Sequence, residues 1–175
     1  MNRFVWFIVV ASIFCTSARA EIPILELGRG GGVNTGRLAF QIDSGSTWLS
    51  GDQWHVRRYW EPAIGFWQGK SRFGDKQIYE LALTPNFRLE KKSNSSWSAY
   101  AEYGLGIHLI TGHHVSDRRD LGSNYHFGNH IGVGLRFGAH NEFDVGYRLQ
   151  HLSNAGLRQP NLGINFNILH LRYSY

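Results

Sequence analysis

Apolar residues recur at every second position over long stretches of this chain. Trp97, Ala99, Ala101, Tyr103, Leu105, Ile107 and Leu109 alternate with Ser98, Tyr100, Glu102, Gly104, Gly106 and His108. A period of two is the signature of a strand, and this run is about twice the ~5–6 residues of an ordinary one. The pattern returns in Tyr79, Leu81, Leu83, Pro85, Phe87 and Leu89, and again in Phe127, Asn129, Ile131, Val133, Leu135 and Phe137. Opposite that last set stand His126, Gly128, His130, Gly132, Gly134, Arg136 and Gly138. Phe143, Val145, Tyr147 and Leu149 follow, then Leu169, Leu171, Tyr173 and the chain-final Tyr175. The periodicity predicts eight strands, over 22–33, 36–49, 53–67, 76–90, 95–110, 125–139, 141–153 and 163–175. The Gly-rich stretch Gly28–Gly36 blurs the boundary between the first two.

Each strand has one apolar face with aromatic ends and one face that is polar or Gly. In a water-soluble sandwich the apolar face is buried and the strands are shorter; in a transmembrane barrel it meets lipid while the polar face fills the lumen. Strand length and the aromatic terminus favour the second architecture. The predicted fold is therefore all-β, an eight-stranded antiparallel transmembrane β-barrel of the bacterial outer membrane. With both termini in the periplasm, Ser50-Gly51-Asp52, Lys91–Asn94 and Ala139–Asn141 become short periplasmic turns, and the longest outer loop is Thr111–Asn124. Side chains fill the interior of a barrel this small, which excludes a diffusion pore and directs attention to the rim, the loops and the outer wall.

Composition adds compartment. Met1–Ala20 has a basic start at Arg3, an apolar run Phe4–Phe14 and the small-residue ending Ala18-Arg19-Ala20, the layout of a secretory signal peptide cleaved before Glu21. Residues 21–175 then form one barrel domain. The apolar run is about half of the ~20 residues a spanning helix needs, and no later stretch could serve as one. Cys15 is the one cysteine; the bulky Phe14 before it argues against lipoprotein processing, and the mature chain has neither a disulfide nor a cysteine metal site. The formal net charge of +5 falls by two with Arg3 and Arg19. That modest excess, without a basic run, does not indicate nucleic-acid binding.

The segment His151-Leu152-Ser153-Asn154-Ala155-Gly156, followed by Pro160-Asn161 and Gly163, departs from the pattern. His151 and Ser153 share parity with Phe143, Val145, Tyr147 and Leu149, so they project from the lipid-facing side at the outward end of the seventh strand. Polar groups on a lipid face are costly. A Ser and a His two apart on one face form a nucleophile–base unit for acyl transfer, and the Gly-containing turn behind them could aim N–H groups at an oxyanion. The bland alternative is that strand ends near wet head groups often carry His, Ser and Asn.

This segment resembles the signature of the lipid A 3-O-deacylase (PagL) family, His-x-Ser-Asn-Ala-Gly followed by Pro-Asn-x-Gly. The resemblance implies Ser153 as nucleophile, His151 as general base and Asn154 supporting the oxyanion region, with Gly156 and Asn161 as further oxyanion residues. It implies lipid A of lipopolysaccharide as substrate, loss of a 3-hydroxy fatty acid, outer-membrane lipids as surroundings, an active site at the outer leaflet, and no cofactor. The family's third member is a Glu that orients the His; this chain has Asn165 there, on the same face as His151 by parity. Asn can orient an imidazole but cannot stabilise the imidazolium by charge. Glu142 and Asp144 have the opposite parity and are expected to point inward.

The remaining polar clusters carry weaker signals. His113 and His114 fall in the longest outer loop, while His126 and His130 project towards the lumen. No carboxylate or Cys stands at ligand spacing from them, so no metal site is expected. Arg118-Arg119 could contact lipopolysaccharide phosphates or be a solvated loop pair. Gly30-Gly31-Gly32 reads as a flexible turn, since no helix follows to make it a phosphate loop. Two other readings stay open at this level: a non-enzymatic small barrel of adhesion or membrane-integrity type, and another lipid-modifying barrel such as an acyltransferase.

Overall fold

The computed structural model describes residues 22–72, 74–92 and 96–174. The predicted signal peptide 1–20, the cleavage point before Glu21, part of the Lys91–Asn94 turn and Tyr175 lie outside the described residues. Among the described residues ten strands are formed: β1 Ile22–Gly30, β2 Val33–Ser50, β3 Trp54–Gly69, β4 Lys76–Lys91, β5 Trp97–Ile110, β6 His114–Ser116, β7 Arg119–Asp120, β8 Tyr125–Phe137, β9 Phe143–Ser153 and β10 Ile164–Tyr173. Eight of them close an antiparallel barrel in the order β1-β10-β9-β8-β5-β4-β3-β2, and β6 and β7 form a separate hairpin. All eight predicted strands are present, with ends shifted by up to about three residues.

The first two strands meet differently from the prediction. Gly30 pairs with Val33, so Gly31 and Gly32 alone make the turn, with φ of 57° and 80°. Two consecutive positive φ values are what a two-residue type I′ hairpin requires; the glycines make a tight turn where flexibility was expected.

Alternation sorts the side chains as the pattern requires. Leu25, Leu105, Ile107, Ile131, Val133, Leu149 and Leu169 are exposed on the wall. Trp97, Phe137, Phe143 and Tyr173 line up in register near the short-turn end, with ring centroids 5.6 Å apart for Phe137–Phe143 and 5.2 Å for Phe143–Tyr173. At the other end Phe66 stands beside Tyr79 and Phe127 beside Ser153. On β8 the two belts are ten positions apart; at ~3.3 Å per residue and ~40° tilt this is about 25 Å, the height of an outer-membrane apolar band.

Charge fills the centre of the lumen. Arg148 donates to Glu102 Oε1 at 2.6 Å, to Glu26 Oε1 at 2.5 Å and to both oxygens of Glu61 at 2.8 and 2.9 Å. Arg88 bridges Glu102 and Asp144. The lumen is not polar throughout, however. Val33, Trp67, Ile78, Ile110, Leu152, Ile164, Phe166 and Ile168 pack with Val115 and Leu121 of the long loop into an apolar plug. Inward parity alone does not distinguish this end from the charged middle, because the plug depends on the loop folding over it.

The connections after β2, β4 and β8 are short and gather at one end; 70–75, 111–124 and 154–163 lie at the other, together with the tight Gly31–Gly32 turn. The loop-length asymmetry of outer-membrane barrels puts the longer set outside the cell. A single cysteine at Leu157 or Arg118, in a chain whose other cysteine is Cys15, is therefore expected to react with a membrane-impermeant maleimide on intact cells; one at His140 is not. Labelling of His140 alone would invert the barrel.

Candidate active site

Three neighbouring strands bring together a row of polar side chains on the wall. His151 pairs across β9–β10 with Asn165 and across β8–β9 with Asn129. His151 Nδ1 lies 2.6 Å from Asn165 Oδ1. A carbonyl oxygen only accepts, so in the neutral imidazole Nδ1 carries the proton and Nε2 keeps its lone pair. The opposite ring edge leans over Gly163: a Cβ there would sit 3.0 Å from Cε1 and 3.5 Å from Nε2. Gly163 comes one residue before Ile164, whose register partner is Leu152, the residue before Ser153, so the ladder extended by one step brings it beside Ser153. Its φ of 56° is a second reason for glycine at this position. Ser153 is half-buried beside Phe127, and among the described residues no hydrogen bond joins its hydroxyl to the imidazole.

The turn after Ser153 is organised by Asn154, which is fully buried. Its Oδ1 accepts from Gly156 N at 3.0 Å, an Asx-turn that holds Ala155 and Gly156 at φ of 55° and 77°. Its backbone N–H donates to Asn161 Oδ1 at 3.1 Å. Its Nδ2 donates to Arg158 O at 2.8 Å and across to Leu121 O at 3.0 Å. The donors of Asn154 and Gly156 are thus committed within the turn and to the long loop, while the N–H of Ala155 has no acceptor among the described residues. The resemblance placed Asn154, Gly156 and Asn161 around an oxyanion; the geometry makes them one hydrogen-bonded unit.

Two apolar anchors fix this unit from within. Leu152, between His151 and Ser153, and Ile164, next to Asn165, are both buried in the plug. Alternation therefore sets His151, Ser153 and Asn165 outward while their neighbours are clamped inside. The long loop braces the same turn: Leu121 carries the carbonyl that Asn154 reaches, Gly122 is so close to Pro160 that a Cβ would lie 1.9 Å from its carbonyl oxygen, and Arg119 donates to Gly163 O.

Other candidates fall elsewhere. Asp144 points into the lumen, bound to Arg88 and Tyr100, and Glu142 accepts from the His140 N–H in a turn; neither approaches His151. Arg119 is engaged with Gly163 and is no free phosphate ligand, whereas Arg118 is exposed. His126 and His130 are buried inside. His113 and His114 are joined by Asp120, a carboxylate that spacing along the chain did not suggest. Asn129 was also missed. As the one polar residue in an apolar parity set, it was visible as an exception.

A closed, aromatic-belted eight-stranded barrel of this kind has the architecture of an outer-membrane protein, and its wall carries an imidazole and an amide in hydrogen-bond contact near a serine hydroxyl at the outward strand ends. Comparison with known proteins agrees. The family model described as lipid A 3-O-deacylase (PagL) matches residues 34–174. Lipid A deacylase PagL of Pseudomonas aeruginosa is 33% identical over 156 residues, 89% of this chain and 87% of that protein. Lipid A deacylase PagL of Bordetella bronchiseptica is 27% identical over 183 residues, 99% of this chain and 96% of that one. The crystal structure of the outer membrane enzyme PagL superposes with a TM-score of 0.77 at 30% identity, covering 89% of this chain and all of that one. The chain belongs to the lipid A 3-O-deacylase (PagL) family of outer-membrane enzymes.

Proposed function

We propose that this chain hydrolyses the 3-O-linked acyl ester of lipid A on the outer wall of the barrel, with Ser153 as nucleophile and His151 as general base. The observation that carries the reading is the imidazole held at Nδ1 by Asn165, with bare Nε2 leaning over Gly163 at the level of Ser153. Ser153 is level with the outer aromatic belt through Phe127. Acyl esters of a lipid sit at that depth, between head group and hydrocarbon.

Lipid A arrives laterally in the outer leaflet. Ser153 Oγ attacks the ester carbonyl as Nε2 takes the hydroxyl proton. Collapse of the tetrahedral intermediate breaks the bond to the sugar oxygen, which leaves with the proton returned from Nε2. Water, deprotonated by the same nitrogen, then attacks the acyl-enzyme and releases a 3-hydroxy fatty acid and free Ser153. Ala155 N–H is the donor available to the oxyanion and Asn161 Nδ2 a second; Asn154 and Gly156 hold that turn in shape. Every step uses protein groups and water.

Asn165 orients the ring without offering charge to the imidazolium that forms in each step. Asn165→Ala is expected to lower turnover by roughly tenfold, because the ring loses its positioning bond while the barrel stays folded. Asn165→Glu is expected to raise it by about tenfold, equivalent to ~1.4 kcal/mol of transition-state stabilisation; the position is exposed near the interface, where a carboxylate costs little. Both are read as 3-hydroxy fatty acid released from lipopolysaccharide, with the matching mass loss in lipid A. Equal rates for Asn, Ala and Glu would make position 165 a bystander.

A further inference from the structure

The long outer loop brings two imidazoles and a carboxylate to one point. His113 Nδ1 lies 2.6 Å from Asp120 Oδ1, and His114 Nε2 lies 2.9 Å from Asp120 Oδ2. The two rings stand 4.3 Å apart, centroid to centroid. Consecutive residues of a regular strand point to opposite faces. Here His113 lies just before β6, and the β6–β7 pairing is irregular between His114 and Ser116, so both rings turn to the same side. The three ligand atoms lie within 4.8 Å of one another. Ligands on a tetrahedral zinc stand about 3.3 Å apart, given bonds of ~2.0–2.1 Å, so side-chain rotation by about an ångström closes the set.

We infer that His113, His114 and Asp120 form a divalent-metal site, of the zinc class, whose occupancy braces the turn after Ser153. Imidazole nitrogen selects zinc and its neighbours in the transition series over magnesium or calcium, which prefer all-oxygen shells. On binding, each imidazole exchanges its contact with Asp120 for a bond to the ion, Asp120 supplies one oxygen, and water takes the fourth position. The Gly122 N–H, 2.8 Å from Asp120 Oδ1, keeps the carboxylate aimed.

The brace follows from the chain itself. Leu121, the residue after Asp120, donates its N–H to His113 O at 2.9 Å and accepts from Asn154 Nδ2 at 3.0 Å. Gly122 packs on Pro160. An ion that pins Asp120 to both histidines therefore pins the two residues that touch the turn, through Leu121 and Asn154, both fully buried. The site itself is independent of the catalytic reading and is tested without reference to turnover.

The experiment uses the untagged barrel folded in detergent, stripped with a chelator and titrated with zinc chloride in competition with a chromophoric chelator. One zinc per barrel is expected, with micromolar or tighter affinity and no displacement by millimolar magnesium. His114→Ala removes an exposed ring and is expected to weaken binding at least tenfold, while His114→Asp, which keeps a ligand, retains most of it; His140→Ala leaves it unchanged. A heat-modifiability gel confirms that each variant is folded. In the same samples zinc is expected to slow hydrogen exchange across 154–163 by threefold or more in the wild type and not in His114→Ala. Absence of binding at 100 µM zinc, or equal binding by wild type and His114→Ala, overturns the site. Binding that leaves exchange in 154–163 unchanged overturns the brace.

Discussion

Ser153→Ala and His151→Asn are each expected to reduce release of 3-hydroxy fatty acid from lipopolysaccharide by three orders of magnitude or more. Three decades correspond to ~4 kcal/mol of lost transition-state stabilisation. The loss is large because the two groups act as a unit: without the hydroxyl no acyl-enzyme forms, and without Nε2 the hydroxyl keeps its proton. Both side chains project from the wall, whereas Leu152 between them and Ile164 opposite it hold the strand from inside. The variants are therefore expected to fold, refold and run on gels as the wild type does, and the double variant to be no worse than either single one. Single-turnover assays on lipopolysaccharide micelles read this directly. Activity within tenfold of wild type in Ser153→Ala would sink the assignment.

Arg148→Met is expected to destabilise the barrel by about 3–5 kcal/mol, the usual result of removing one member of a buried ionic cluster. Arg148 is completely buried, and its guanidinium contacts Glu26, Glu61, Glu102 and the Tyr59 hydroxyl at once. Removal leaves three carboxylates facing one another in a space that a methionine does not hydrate. Arg148→Lys is expected to recover only part of the loss, since a lysine is a point charge and cannot engage both oxygens of Glu61 while reaching Glu102. Urea titration of the barrel in lipid vesicles, followed by tryptophan fluorescence, measures the difference. A shift below 1 kcal/mol for Arg148→Met would mean that water in the lumen screens the cluster.

The features legible in the sequence are those that alternation carries. An extended backbone sends successive side chains to opposite faces whatever lies around it. Parity therefore identified the lipid-facing wall, eight strands, and the shared face of His151, Ser153 and Asn165 without any tertiary contact. The odd polar residues on an apolar face marked the candidate site for the same reason, Asn129 standing unmarked among its apolar neighbours.

Register, loop packing and hydrogen-bond commitment were not legible, because each depends on residues far apart in the chain. Parity set Asn165 on the face of His151, but only the β9–β10 register brought the two within 2.6 Å. Asn154, Gly156 and Asn161 read alike as oxyanion groups along the chain; only the folded turn shows that Asn154 N–H donates to Asn161 Oδ1 and Gly156 N–H to Asn154 Oδ1. The apolar plug needs Val115 and Leu121 to fold over the lumen, and Asp120 meets His113 and His114 only through a hairpin too short and irregular for any periodicity to reveal. Alternation is a property of the local backbone and survives in the sequence; the meeting of distant segments is decided by closure of the barrel, and it is there that the candidate site is assembled.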